Sequence, residues 1–485
     1  MNFLSIEFLI FAACVIPLFF LIPARWKWLF LLAASFVFYG FGGARNVVWL
    51  ALPAIAVYFI GLALGRAARP GTRRRLLVLG LIAGLSVLFL FKYTDFFGRL
   101  LFAAAGLFGK APVYRPLGWA YVAGVSFFSF RLLSYLMDVY RGNLPAEKHA
   151  GYFFLYVAYF PQLLMGPIDR AARFLPELKR KISFDFNRIE SGLGLIVWGL
   201  FKKMAVADRL ALFVDSVFSN PQAGGLSLVF GAYFFAFQIY CDFSGYSDIA
   251  IGLSRILGYE STENFRTPYA SRSVAEFWSR WHISLSTWLR DYLFLPLAYG
   301  VMRRIPSTSR LSVHADIWAY GIGIVLTIGL AGLWHGAAWT FVTWGLMYGL
   351  LLFLSNLTKK LRRRVVRKIG LHRRPAFHHG LQILLTFHFV CLAWVFFRSE
   401  SLAAAGDYFR RLFGPSLFAE PRIPVFHLLL VLLFIGFEAF RNSAPRWDWP
   451  ARLPRPLKIA GLAFFLCLIA ILAVETNNEF IYATF

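Results

Sequence analysis

The sequence predicts an all-α, polytopic integral membrane protein, and three observations predict it: an excess of hydrophobic residues, long runs without charge, and basic residues gathered between those runs. Of 485 residues, 59% are hydrophobic and 15% are charged. A water-soluble domain is roughly 45–50% apolar and about 25% charged. Aromatic residues make up 19%, with 54 Phe and 15 Trp, more apolar surface than a soluble fold has room to bury. In hydrocarbon a helix satisfies its own backbone hydrogen bonds, so helices are expected throughout.

Residues 8–22, 28–41, 46–65, 76–91, 228–241, 317–334, 336–357, 381–397, 424–437 and 457–474 are nearly free of charge. Several approach the roughly 20 residues that cross a hydrocarbon core, and the shorter ones suffice when flanking polar side chains snorkel. With two irregular segments added, the pattern predicts roughly 11 to 13 membrane-associated helices. No internal repeat, low-complexity tract or soluble domain interrupts it, so residues 1–485 read as a single membrane domain. The N-terminus, MNFLSIEFLI, has neither a basic n-region nor a small-residue cleavage site, and reads as the first span rather than a removable signal.

Lys and Arg number 50 and Asp and Glu 24, a net charge of +26. Nucleic-acid binding would gather that charge on one soluble face. Here it lies in short loops, Arg66 to Arg75, Arg170 to Arg188, Lys359 to Arg374 and Arg441 to Lys458. That is the pattern of loops facing the cytoplasm and its anionic lipid, and it argues against a nucleic-acid partner. Both termini and a loop at 398–423 then face outward. The four cysteines, Cys14, Cys241, Cys391 and Cys467, have neither metal-ligand nor redox spacing, and no metal site is expected.

Two segments cannot span simply. Residues 152–169, YFFLYVAYFPQLLMGPID, carry Pro161 and Pro167, each of which removes a backbone donor and clashes with the preceding turn. A broken or re-entrant helix is expected, buried in protein or lining a cavity. Residues 277–293, FWSRWHISLSTWLRDYL, place Phe277, Trp281, Leu285, Trp288 and Tyr292 on one side of a helix. An interfacial helix is expected, with its tryptophans at headgroup level.

Ionisable groups inside spans are costly and need a reason. His335 lies in GLWHGAAW, within a run from Ile317 to Leu357 whose other ionisable side chains are Tyr320 and Tyr348. Gly332 and Gly336 flank it and permit close approach of a ligand or another backbone. A neutral imidazole there suits proton transfer near neutral pH. The residues alone leave open a packing histidine hydrogen-bonded across helices. The run is long enough for two spans, so its turn near His335 faces outward. His282 is the second candidate. On a continuous helix it shares a face with Ser286 and Trp278, one turn to either side, and a satisfied interfacial histidine is the alternative. Asp242 and Asp248, in CDFSGYSDIAIG, read as structural partners for Arg or Ser, with a direct catalytic role as the alternative. There is no G-x-S-x-G, Walker, GxGxxG or HExxH motif. Many spans, broken helices and buried acids also fit a polysaccharide-precursor transporter or flippase, although no inverted repeat is visible.

The stretches YFPQLLMGPIDR, QIYCDFSGYSDIAIGLSRILGY, ENFRTPYASRSVAEFWSRWHISLSTWLRDYLFLPL and GLWHGAAWTFVTWGLMYG together resemble the membrane-bound O-acyltransferases, in the bacterial branch that includes alginate O-acetylation and D-alanyl transfer to teichoic acid. The resemblance covers about residues 30–360, with SFVFYG and the terminal EFIYATF besides; the spans at 380–485 complete the chain. It implies a ring of helices around an acyl-donor tunnel opening to the cytoplasm. It implies that His335 is the catalytic histidine and His282 a second functional position, where other branches carry Asn. Trp334, Trp278, Ser286 and Asp242 complete the implied site as substrate-binding candidates. His335 would take the proton of the acceptor hydroxyl, and His282 would orient the donor or stabilise the developing oxyanion. No permanently bound cofactor is implied. The co-substrate would be an acyl thioester, acetyl-CoA or an acyl carrier, and the acceptor an exported, alginate-like polysaccharide. Teichoic acid D-alanylation is the alternative. A separate periplasmic or extracytoplasmic transferase is the implied partner, and the bacterial inner membrane the implied location. One departure stands out: alginate-type members continue with PLGGN after the amphipathic segment, where this chain reads PLAYGVMRRIP with Arg303 and Arg304.

Overall fold

The computed structural model describes residues 1–109, 113–119, 122–304, 315–414, 424–443, 454–474 and 480–481. The last part of the expected outer loop at 398–423, the middle of the basic stretch at 441–458 and most of the tail ETNNEFIYATF lie outside the described residues, as does the end of PLAYGVMRRIP.

Every described element is helical, and seven helices are long and apolar enough to cross a membrane: Ala44–Arg66, Pro70–Gly106, Leu226–Ile256, Ala315–His335, Trp339–Leu357, Pro375–Arg398 and Arg455–Leu472. Two shorter apolar helices, Ile6–Leu21 and Val425–Phe440, accompany them. Their outward faces carry large apolar side chains such as Ile10, Phe59, Ile82, Leu385 and Ile471, all strongly exposed. In water such surface would be a liability; in lipid it is the solvated face. The chain is a multi-pass membrane protein.

The chain forms two compact units. The first comprises Met1–Gly199 and Tyr246–Thr262. Its first helix is capped by Ser5, whose hydroxyl accepts the Phe8 N–H at 3.2 Å, which satisfies one of the donors a helix start leaves bare. The break expected at the prolines is present. One helix, Ala150–Ala158, stops, a short turn at Phe160–Leu163 follows with Pro161 in its first positions, and Leu164–Arg170 is not helical. Proline is tolerated in a first turn, where its missing N–H would have lacked a partner anyway. The segment is buried, and a polar relay holds it. Arg131 donates to the Tyr156 carbonyl at 2.9 Å and to the Gln162 side-chain oxygen. Gln162 in turn donates to Asp169 at 2.7 Å, and Asp169 accepts the Thr262 N–H at 3.1 Å. Most buried polar groups in folded proteins are paired in this way, because an unpaired one costs its desolvation.

The second unit comprises Leu200–Gly245 and Glu263–Ile481. Its central feature is the hairpin of Ala315–His335 and Trp339–Leu357, joined by three residues. Glycines set how closely the two helices pack. A Cβ at Gly332 would lie 2.2 Å from the Phe341 carbonyl oxygen, and one at Gly345 would lie 2.4 Å from that of Ile328. Small residues at such contacts let backbones touch, which in lipid, where no hydrophobic force drives helices together, is the main source of association energy.

The segment 277–293 departs from expectation. It is two helices, Val274–Arg280 and Ile283–Leu289, not one. Trp281 is extended and His282 adopts a left-handed conformation, φ 43° and ψ 54°. The cause is a remote cap. The Asn264 backbone carbonyl accepts the Ile283 N–H at 2.9 Å, and its side-chain oxygen accepts the Ser284 N–H at 3.3 Å and the Ser284 hydroxyl at 2.8 Å. Together they satisfy the opening donors of the second helix. The tryptophans expected at headgroup level are instead buried in protein, Trp281 completely, because Trp394 packs against it with ring centroids 5.0 Å apart.

Candidate active site

The rings and side chains described below around the two candidate histidines belong to the second unit. His335 is the last residue of its helix, at the hairpin turn, as the sequence suggested. It is only 2% exposed, because aromatic rings enclose it. Trp344 meets it edge-on at 5.2 Å, Phe397 at 5.5 Å and Trp334 at 4.9 Å, centroid to centroid. Trp344 comes from the second arm of the hairpin and Phe397 from the end of Pro375–Arg398. A histidine at a turn would ordinarily reach solvent; here three elements close over it.

His282 is completely buried. Its Nδ1 lies 2.9 Å from the Asn264 side-chain oxygen. Phe243 packs edge-on against the ring at 4.7 Å, Phe265 stacks at 6.3 Å and Trp334 lies at 6.3 Å. Trp334 therefore touches both histidines and joins them into one aromatic-walled site. Burial without a charged neighbour pushes the His282 imidazole down to about 3, since removing water penalises the charged form. It is neutral at physiological pH.

Of the other residues singled out from the sequence, Trp278 belongs to the wall, 5.7 Å from Trp344 and 5.2 Å from Tyr348. The face that Trp278, His282 and Ser286 were expected to share does not exist, because the helix breaks at His282. The Ser286 hydroxyl donates to the Trp281 carbonyl at 3.1 Å and serves the break. Asp242 is held by protein: one oxygen accepts from Lys203 at 2.7 Å and the other from the Ile481 N–H at 2.9 Å. Lys203 also pairs with Asp208 at 2.9 Å, and the Phe480 ring lies 4.7 Å from its ammonium. A buried cation between two carboxylates is attracted by both, and either carboxylate would be costly to bury without it. Among the described residues no cluster of His, Cys, Asp or Glu could hold a metal ion.

Sequence reasoning missed Asn264, Trp344 and Phe397. Asn264 sits in ENFRTPY, but nothing in its spacing links it to a histidine 18 residues on. The two aromatics lie in apolar runs where every ring looks alike.

A buried imidazole at the end of a helix, walled by aromatic rings and set near a second imidazole, can accept a proton from a weakly acidic group while its surroundings limit the access of water. Comparison with known proteins agrees with that chemistry. Residues 147–399 match the description "MBOAT, membrane-bound O-acyltransferase family". The chain is 36% identical to the Probable alginate O-acetylase AlgI of Azotobacter vinelandii, over 85% of this chain and 78% of that one. It is 33% identical to the protein of the same description from Pseudomonas putida, over the full length of both. It is 32% identical to the Peptidoglycan O-acetyltransferase of Helicobacter pylori, over 81% of this chain and 74% of that one.

Proposed function

The chain belongs to the membrane-bound O-acyltransferase family, and on that premise we propose that it moves an acetyl group from a cytoplasmic thioester donor toward a hydroxyl of an exported, alginate-like polysaccharide. The observation that carries this reading is the burial of His335 in an aromatic pocket that it shares with His282. His335 accepts the proton of the attacking hydroxyl while its oxygen bonds to the acyl carbon. The thioester C–S bond breaks, and the proton passes from the imidazole to the departing thiolate. A positioned base of this kind contributes about 10²–10⁴-fold. Relatives described as acting on alginate and as acting on peptidoglycan both align over most of the chain. The aligned region therefore supports acyl transfer in general, and the acceptor is the finer part of the proposal. A bacterial cytoplasmic membrane, with the donor inside and the acceptor outside, is the setting it requires.

Two expected results test the route. Basic residues fill the helix Lys359–Lys368, which supports a cytoplasmic position for it by the positive-inside rule. A reporter active only outside the membrane will work when fused at the C-terminus and fail when fused near Arg364; the reverse pattern overturns the route. The second concerns the acceptor. The longest loop expected outside, near residues 398–423, is too short to build an extended groove for a polymer. We expect the acyl group to leave on a partner transferase or a membrane-proximal intermediate. Purified protein with labelled acetyl-CoA and polymer alone will give no acetylated polymer, and adding the extracytoplasmic partner will restore it. Efficient polymer acetylation without a second protein refutes the relay.

A further inference from the structure

We infer that Asn264 is a positioning residue that locks His282 in the tautomer protonated on Nδ1, so that His282 presents a bare Nε2 lone pair and serves the reaction as a hydrogen-bond acceptor, not as a donor to the oxyanion. The inference rests on the acyl-transfer reading for its functional half and on geometry alone for the tautomer.

The Asn264 side-chain atom facing His282 must be the oxygen. It also accepts the Ser284 backbone N–H at 3.3 Å, and a backbone N–H can only donate. The Ser284 hydroxyl reaches the same atom at 2.8 Å. An amide oxygen that gathers three donors cannot itself donate, so the 2.9 Å contact with His282 is an Nδ1–H donating to Asn264. A neutral imidazole carries one N–H, and with Nδ1 protonated the other nitrogen is a lone-pair acceptor. Nε2 is buried and has no hydrogen-bond partner among the described residues.

The neighbours keep the ring neutral. Phe243, Phe265 and Trp334 surround it. On the helix that carries Phe243, the adjacent Asp242 is paired with Lys203. Across Trp334 stands His335, and among the described residues no acid forms a hydrogen bond or ion pair with the imidazole. With no charge to favour the imidazolium, the depressed basicity described above follows. A neutral ring with Nε2 bare cannot stabilise negative charge on the acyl oxygen, which needs a donor there. It can hold a substrate N–H or O–H in register, such as an amide of the thioester arm or the attacking hydroxyl.

Oxyanion donors must then come from elsewhere. The indole N–H groups of Trp278, Trp281 and Trp344 are buried and without acceptors among the described residues, so the wall offers donors where His282 offers an acceptor.

The test uses the full chain in lipid nanodiscs with ¹⁵N-labelled histidine, the His282 signals being identified by their loss in His282→Asn. At neutral pH we expect Nδ1 to resonate as a protonated nitrogen and Nε2 as an unprotonated one. A protonated Nε2 overturns the inference whatever the enzyme does. Asn264→Asp supplies the functional arm. A carboxylate against Nδ1–H favours the imidazolium and raises the pKa by about 1–3 units. Activity belongs to the neutral ring, so the variant loses kcat relative to the wild type at any pH where its ¹⁵N signals show His282 protonated and the wild-type ring still neutral. A kcat that matches the wild type at such a pH, in a variant that folds, overturns the acceptor role. His335→Ala, measured beside it, separates the two failures: if that variant stays active, the acyl-transfer reading falls while the tautomer assignment stands on its spectrum.

Discussion

His335→Ala loses acyl transfer by about 10²–10⁴-fold or more, while the protein still inserts and accumulates. The expectation follows from where the ring sits. It is the only His, Cys, Asp, Glu, Lys or Arg between Ile317 and Leu357, and Trp334, Trp344 and Phe397 close over it. Removing the imidazole leaves a void of a few atoms at the end of a hairpin, whose cost in a helix pair packed along its whole length is modest beside the loss of the base. His335→Gln fills the void with a side chain that cannot take the proton, and should be equally inactive with less loss of stability. The measurement is labelled acetyl transfer in membranes, with thermal melting in detergent alongside. Transfer at the wild-type rate by either variant removes His335 from the chemistry.

The second large effect is on the fold. Gly345→Leu should leave little folded protein. A Cβ at residue 345 would meet the Ile328 carbonyl at 2.4 Å and the α-carbons of Gly329 and Gly332 at 3.2 Å. These are backbone atoms and cannot turn aside. Relief requires the two arms of the hairpin to separate, which loses the close contact that holds them in lipid and moves His335 away from Trp344. Overpacking in a well-packed core costs roughly 1–3 kcal/mol or more, and here there is no flexible side chain to absorb it. Gly436→Ala is the matched control, because a Cβ added there would meet nothing within 4 Å. If Gly345→Leu accumulates and melts like Gly436→Ala, the close packing of the hairpin is not what holds it.

The class of fold was legible because it depends on composition and run length, which the chain displays without reference to distant residues. The break near Pro161 was legible for the same reason, since proline acts on its own turn. His335 was visible as one ionisable group in a long apolar run, and its place at the turn followed from the length of that run. The break at His282 was not visible. The spacing of Phe277, Trp281, Leu285 and Trp288 is that of an unbroken amphipathic helix, and the residue that breaks it, Asn264, acts from 18 positions upstream. The partner of Asp242 was out of reach for the same reason, since Lys203 lies 39 residues away in sequence. Local periodicity shows which residues can share a face, not which remote side chain will cap or neutralise them.

The left-handed backbone at His282 also bears on how this position changes over generations. Outside glycine, the residues that enter that conformation most readily are Asn, Asp and His. Their codons differ from one another only in the first base. A lineage can therefore pass from imidazole to carboxamide or carboxylate in a single nucleotide step, with no intermediate that the backbone rejects. The Asn that the family resemblance implies at this position in other branches would be such a neighbour. The chemistry of this site can drift while the fold stands still, because the backbone selects three residue types that all form hydrogen bonds.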